Sequence, residues 1–521
     1  MGTRPHRRPG NAISSERINQ AGENSLVPRI DRDLQPDRPG KEVEHSSKAI
    51  VFTMILVAVL VLGAIAGLIV QIAESGGSHS SETPVRTPAG VFYFLRAPIS
   101  IVGNGNFTIT NGVSGGNGTA SNPYIIANWA INASSKDGIS IQGTDAYFKV
   151  RNCYVHDGRH AMTGFRGITL SNCVNGTLEN NNCTKNDFGI VLDSSSHSNA
   201  LINNSCSFSH YDGIDILHSS DDGVLINNTC ISNSGAGIGV GSSSYNLIVN
   251  NSCVSNSEWG IAVGSSNYNT IVNNTCTFSS SNGNGIDVEL SSHITVIDNN
   301  CSSNSHFGVF LYQSSNITVI NNTCNSNTND GIMLSSSNHN ELRNNNCSNG
   351  NIGIYLLASS HNTLSENNCS LNSHEGMYLY SSSNSNELSR NHLSGNAMYA
   401  VIILNAATNR FWNDTFIDNN GATSTFNSSH VQARDDGTNN WWNSTEGYGN
   451  WWSDWQSPDN VQPHGIVDLP YNISGSAGAK DNYPLTTTQT PIPEFGMMPF
   501  VVMALMAVIV LAGHGRRKNR L

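Results

Sequence analysis

The chain has 521 residues, of which 38% are hydrophobic and only 12% charged, with a formal net charge of −12. No Lys or Arg lies between Lys185 and Arg343. The central chain is therefore a poor partner for nucleic acid, whose phosphates need cations, and a poor polyuronate lyase, which needs one to hold a carboxylate; Arg151, Arg159, Arg166 and Lys185 leave a narrow exception at its start.

Residues 1–48 carry Arg4, Arg7, Arg8, Arg17, Lys41 and Lys48 among Pro, Gly and Asn, and read as a disordered cytoplasmic tail. Ala49–Val70 is uncharged and apolar, long enough to span a bilayer as a helix and too long for an ordinary signal-peptide core. Residues 49–73 are thus expected to be a transmembrane signal anchor, followed by a linker at 74–90. Residues 91–135 are expected to cap the domain that follows.

From 136 to 415 the chain repeats one unit of about 23 residues twelve times. A glycine precedes an alternating apolar strand at Gly138, Gly167, Gly189, Gly213, Gly237, Gly260, Gly285, Gly308, Gly331, Gly353 and Gly376, with Ala400 last. Short β-branched runs between Asn/Gly/Ser turns are strands, and units this short wind into a parallel β-helix. The fold class is all-β, a solenoid of about 12 coils stacked at roughly 4.8 Å, flanked by two membrane helices. Positions one and three after each glycine point inward and positions two and four outward. A second inward column holds Cys153, Cys183, Cys206, Cys230, Cys253, Cys276, Cys301, Cys324, Cys347 and Cys369. These read as small buried hydrophobes, since no CxxC or Cys/His metal spacing occurs. Two residues before most of them stands an asparagine (Asn204, Asn228 and Asn251 among them), and these amides can pair from coil to coil as a buried ladder.

Asn-x-Ser/Thr sequons recur on the outward parity, at Asn203, Asn227, Asn250, Asn273 and Asn321, and in a turn at Asn316, while the ladder asparagines start none. That parity suits a glycosylated surface, although a repeat copies whatever parity it has. Residues 416–485 carry Trp441, Trp442, Trp451, Trp452 and Trp455, suited to covering the open end of the coil. Thr486–Pro493 reads as an extended tether. Residues 494–521 hold a second apolar run, followed by Arg516, Arg517, Lys518 and Arg520. Both basic flanks belong inside, which places residues 74–490 outside the cell.

The outward positions on the glycine strand suggest where a ligand binds. Gly239, Gly241, Ala262 and Gly264 make a shallow trough flanked by acids, and beyond it Phe310, Tyr312, Tyr355, Tyr378 and Tyr380 form an aromatic stripe suited to sugar rings. The plainer reading is that aromatics simply fit pleated strands. If the protein is an enzyme, Asp287 and Glu289 are the favoured pair, roughly 6–7 Å apart on one side of a strand, near the lower edge for an inverting hydrolase.

Several stretches resemble archaeal NosD-type β-helix proteins: Pro98–Ile101, Asn111–Gly116, Pro123–Ile126, Asp145–Cys153, and at the far end Asn450–Trp455, Gly465–Tyr471 and Asp481–Leu485. The resemblance covers about 91–485 and implies a domain type found in carbohydrate-binding proteins and sugar hydrolases. It also implies copper binding or maturation as a second alternative. The turn histidines His197, His293, His339 and His361, with His210, His306 and His374, are however one to four coils apart, too far to share an ion, and read as solvated. Asp454, Asp459 and Asp468 resemble a calcium loop that Gln462 and His464 interrupt. Pro493-Glu494-Phe495-Gly496 with its apolar run and basic tail resembles an archaeal PEF-type sorting signal, which implies cleavage and transfer to a lipid anchor. The expected protein is a membrane-anchored surface glycoprotein that binds carbohydrate or envelope components without catalysis. A polysaccharide hydrolase or lyase is the alternative.

Overall fold

The computed structural model describes residues 84–86, 92–159 and 164–488. Each coil feeds up to three parallel sheets, as Ile214–Leu217, Val224–Ile226 and Thr229–Ile231 do in one turn. The strands that follow the repeated glycine form a fourteen-stranded sheet from Ile99–Val102 to Ala433–Thr438. The next strand of each coil joins a second sheet of fourteen, and the cysteine strands a sheet of nine ending at Thr275–Thr277. Beyond Thr277 the cysteine side continues as single parallel bridges, such as Asn300 with Thr323 and Thr323 with Asn346. The solenoid outruns the sequence repeat at both ends: Ile99–Val102 pairs in parallel with Ile139–Thr144, and Val401–Ala407 with Ala433–Thr438. Segments read from sequence as caps therefore also supply coil strands.

The inward columns are buried. Ile190, Leu192, Ile214, Ile216, Ile238, Ile286 and Ile354 are fully buried. All eleven cysteines are buried free thiols, and Cys183 is in register with Cys206 and Cys253 with Cys276. Burial pushes the Cys153 thiol up to about 12, so it stays neutral. The asparagine ladder runs as expected. Asn228 Nδ2 donates to Asn251 Oδ1 at 3.0 Å and to the Leu201 carbonyl at 2.9 Å, and Asn251 repeats the pattern toward Asn274.

The doubled asparagines have a local explanation. The first of each pair turns the corner with a left-handed backbone (φ 54° at Asn203, 55° at Asn227, 56° at Asn250), which asparagine tolerates better than most residues. The second then points its amide inward. This also leaves Asn203, Asn227, Asn250 and Asn273 exposed, while Asn204, Asn228 and Asn251 are about 1% exposed or less. Further ladders hold the other corners, among them one through Asn372, Asn396 and Asn419 and the two that follow. One is of amides (Asn340, Asn362, Asn386 and Asn409); in the other, serine hydroxyls accept from the previous coil's amide, through Ser220, Ser243, Ser266 and Ser291.

At the far end Trp442 and Trp452 are fully buried, stacking on Phe411 (4.5 Å) and Phe416 (4.2 Å). Tyr471 closes the stack on Trp452 at 3.9 Å. Trp441 instead stays 43% exposed beneath the Arg410 guanidinium. The regions read as cytoplasmic tail, signal anchor, sorting signal and second membrane segment lie outside the described residues. Among the described residues no helix is long and apolar enough to cross a membrane.

Candidate functional site

The outer surface of the glycine-strand sheet is organised in two columns. The column two residues after the glycine runs in register through Asp215, Gly239, Ala262, Asp287, Phe310, Met333, Tyr355 and Tyr378. The column four after it runs through Leu217, Gly241, Gly264, Glu289, Tyr312, Ser335, Leu357 and Tyr380.

Strand parity makes the first column outward, yet several of its members are covered, while Ala262, Phe310, Tyr355 and Tyr378 remain half-buried. Val191 is 1% exposed, Asp215 7%, Asp287 4% and Met333 7%. Parity along a strand says nothing of a neighbouring loop, and at Asp287 the loop before the glycine folds against this position. At Asp287 the covering group is Asn284, whose Nδ2 donates to Asp287 Oδ2 at 2.6 Å. Burial raises the Asp287 carboxyl to about 7. Glu289 remains half-buried in the outer column. The two acids of the suggested pair thus occupy different environments, and the buried one is already engaged.

The aromatic stripe is present but divided. Phe310 packs on Phe307 (5.2 Å) and near Tyr312 (6.1 Å). Tyr355 stacks on Tyr378 at 4.9 Å with planes 8° apart, and Tyr380 tilts against Tyr378 at 5.6 Å. Met333 and Ser335 separate the two groups. Because Tyr355 and Tyr378 stack coil on coil, each covers a face of the other, and both rings stay half-buried. Their half-burial raises both phenols, Tyr355 to about 12. Tyr312 differs: the next coil in its column offers only Ser335, too small to cover the ring face on that side.

An acid pair escaped the sequence reading. Asp212, just before its glycine, and Asp215, two after it, both turn toward the coil of Gly239. A Cβ built on Gly239 would lie 2.9 Å from Asp215 Oδ1 and 3.1 Å from Asp212 Oδ2. Asp212 is held by the Ala236 amide, which donates to its Oδ1 at 2.6 Å. Among the described residues nothing donates a hydrogen bond to Asp215. Burial raises Asp212 to about 6 and, with Asp212 beside it, Asp215 to about 7. The signal was the run Asp212-Gly213-Ile214-Asp215, which places acids on both sides of a covered position; alternation alone does not expose it.

Histidine spacing needs one correction. His339 and His361 occupy adjacent coils and stack at 4.9 Å, and His293 stacks on Tyr268 at 4.7 Å. Neighbouring turns bring these rings within one coil spacing. Among the described residues, however, no three His, Cys, Asp or Glu side chains converge as a metal site. The calcium-like acids are used by their own loop: Asp468 accepts from the Asn460 and Val461 amides, Asp459 from Gly465, and Asp454 from Gln432 Nε2.

Solved structures similar to this chain include the Azotobacter vinelandii mannuronan C-5 epimerase AlgE4 A-module (13% identity, 59% of this chain and 87% of that one, TM-score 0.39). The periplasmic alginate epimerase AlgG matches at 13% identity over 68% of this chain and 85% of its own, TM-score 0.31. The Dettilon tailspike protein matches at 13% identity over 62% and 63%, TM-score 0.32. No curated protein matches the sequence. The family model described as right handed beta helix region matches residues 99–276, 189–347 and 284–450. The chain therefore belongs to the right-handed β-helix family.

Proposed function

We propose that this is a cell-surface β-helix protein that binds carbohydrate along the outer face of its glycine-strand sheet, without catalysis. The observation that carries this reading is one in-register surface joining a side-chain-free trough at Gly239, Gly241 and Gly264 to tyrosine rings at Tyr312, Tyr355, Tyr378 and Tyr380. The tyrosine rings, the half-buried Glu289 and the low floor at Gly241 and Gly264 offer a glycan hydrogen bonds and apolar contact together. The hydrolase alternative loses support at Asp287 and Glu289, because Asn284 holds the buried member.

The surface location rests on the apolar runs at both ends of the sequence, the resemblance to NosD-type proteins and to PEF-type sorting signals, and the exposed sequon asparagines. Asn203, Asn227, Asn250, Asn273 and Asn316 are exposed and Asn321 is half-buried, so a sugar can reach them. The test is affinity electrophoresis of the full chain through neutral, amino-sugar and uronate polysaccharides, with mass spectrometry of the same mixtures. Retention without cleavage products supports the proposal. New oligosaccharides, or no retention on any polysaccharide, would contradict it.

A further inference from the structure

Asp212 is half-buried with one oxygen held by the Ala236 amide, and Asp215 beside it is buried with no hydrogen bond among the described residues. Asp215 is 7% exposed and leans over the one coil where the facing residue is glycine. From the two distances to the position of a Gly239 Cβ, Asp215 Oδ1 and Asp212 Oδ2 are no more than 6.0 Å apart (2.9 + 3.1). Two desolvated carboxylates this close are costly unless a donor lies between them. Among the described residues none is supplied: Ala236 serves only Asp212 Oδ1, and no Lys or Arg occurs from 186 to 342. The charges of Arg166 and His218 favour ionised Asp215, but burial and the negative charges of Asp212 and Asp193 outweigh them. His218 is bound to Asp193 at 2.7 Å, Arg166 lies over the Phe188 ring at 5.9 Å, and Glu258 adds negative charge beside Asp212. Beyond Gly239 the floor stays low at Ala262, next to the half-buried ring of Trp259.

We infer that Asp212 and Asp215, converging over Gly239, form a subsite for a primary ammonium group, carried by an amino-sugar unit of a glycan lying along this face. This deepens the carbohydrate reading and rests on it. An ammonium donates to both carboxylates at once, which a hydroxyl cannot do with equal strength. An amino sugar is favoured over a lysine side chain because the trough continues into the tyrosine stripe, a surface suited to further sugar units. With Asp215 raised to about 7 and Asp212 to about 6, capture of the ammonium displaces protons, at pH 7 chiefly from Asp215. Binding should strengthen from pH 5 to pH 7 while the ligand amine stays charged.

The experiment is isothermal titration of the full chain with the trimer of glucosamine, the trimer of N-acetylglucosamine, and trilysine, each at pH 5 and pH 7. The expected result is tighter binding of the free-amine trimer than of its acetylated form, with proton release. Asp215→Asn should weaken the former about tenfold, the loss of one charge-assisted hydrogen bond, and leave the latter unchanged. Gly239→Ala, which sets a methyl against both carboxylates, should act likewise, with thermal melting confirming that each variant is folded. Equal affinity for the two sugar trimers would overturn the ammonium subsite and leave glycan binding standing. Tighter binding of trilysine than of glucosamine trimer would overturn the assignment to sugar. Binding of neither sugar would overturn the ammonium subsite, while the carbohydrate reading falls only if no polysaccharide retains the chain.

Discussion

Asp414 shows how one atom can set the pH dependence of the whole column. It stands where the ladder would have another asparagine and accepts from Asn391 N (2.7 Å) and Nδ2 (2.9 Å) through Oδ1. Its other oxygen, Oδ2, is buried without a partner. The repeat geometry directs that atom at acceptors, where an amide nitrogen would donate. Burial raises the carboxyl to about 7. The folded protein thus binds this proton more tightly than the unfolded chain does. Stability from Asp414 is full below the ordinary carboxylate range and is lost as pH rises through about 7. Asp287 and Asp215, also raised to about 7, act in the same direction. Urea unfolding should therefore show greater stability at pH 5 than at pH 8. Asp414→Asn should add about 1–3 kcal/mol at pH 8 and flatten that difference; an unchanged pH slope would contradict the assignment. Asn251, which donates and accepts within the ladder, is the converse case. Asn251→Ala strands buried partners at Asn228 Nδ2 and the Leu225 carbonyl and should cost about 2–4 kcal/mol.

At the scale of the strand, the register was legible because a period-2 pattern repeated a dozen times leaves little choice of which side faces in. Ile190 and Leu192, the cysteine column and the Asn204–Asn251 ladder all lie where alternation puts them. The outer face was less legible. Alternation cannot see that Asp215 is buried, that a loop covers Asp287, that Tyr355 and Tyr378 cover each other, or that Asp212 leans across a coil to join Asp215. Those are contacts between neighbouring coils, and a single repeat does not encode them. The stacking makes a chemical prediction. If the tyrosines meet ligand with edges and hydroxyls, Tyr355→Phe with Tyr378→Phe should weaken glycan retention several-fold, one or two neutral hydrogen bonds' worth, without loss of stability. Unchanged retention by that double variant would show that the hydroxyls take no part.

For the solenoid as a whole, each coil leans mainly on its two neighbours, so stability is close to a sum over coils and interfaces. Excising residues 238–260 removes one coil and joins Gly237 to Ile261, strand starts that are already in register. The shortened chain should fold with the same circular dichroism per residue. Excising only 238–248 would misalign every later strand and should prevent folding. The same excision removes Gly239 and Gly241, and should erase preference for a free amine while sparing the tyrosines. Function at this scale depends on a continuous face, with the trough and the stripe on one sheet.

The most direct test of that face is affinity electrophoresis of the full chain beside its Tyr355→Ala, Tyr378→Ala and Tyr380→Ala triple variant, through whichever polysaccharide retards the parent. The account predicts that the parent is retained without cleaving the glycan, and that the triple variant, still folded by thermal melting, runs free. Equal retention of the two would place the ligand elsewhere and contradict the assignment of this surface.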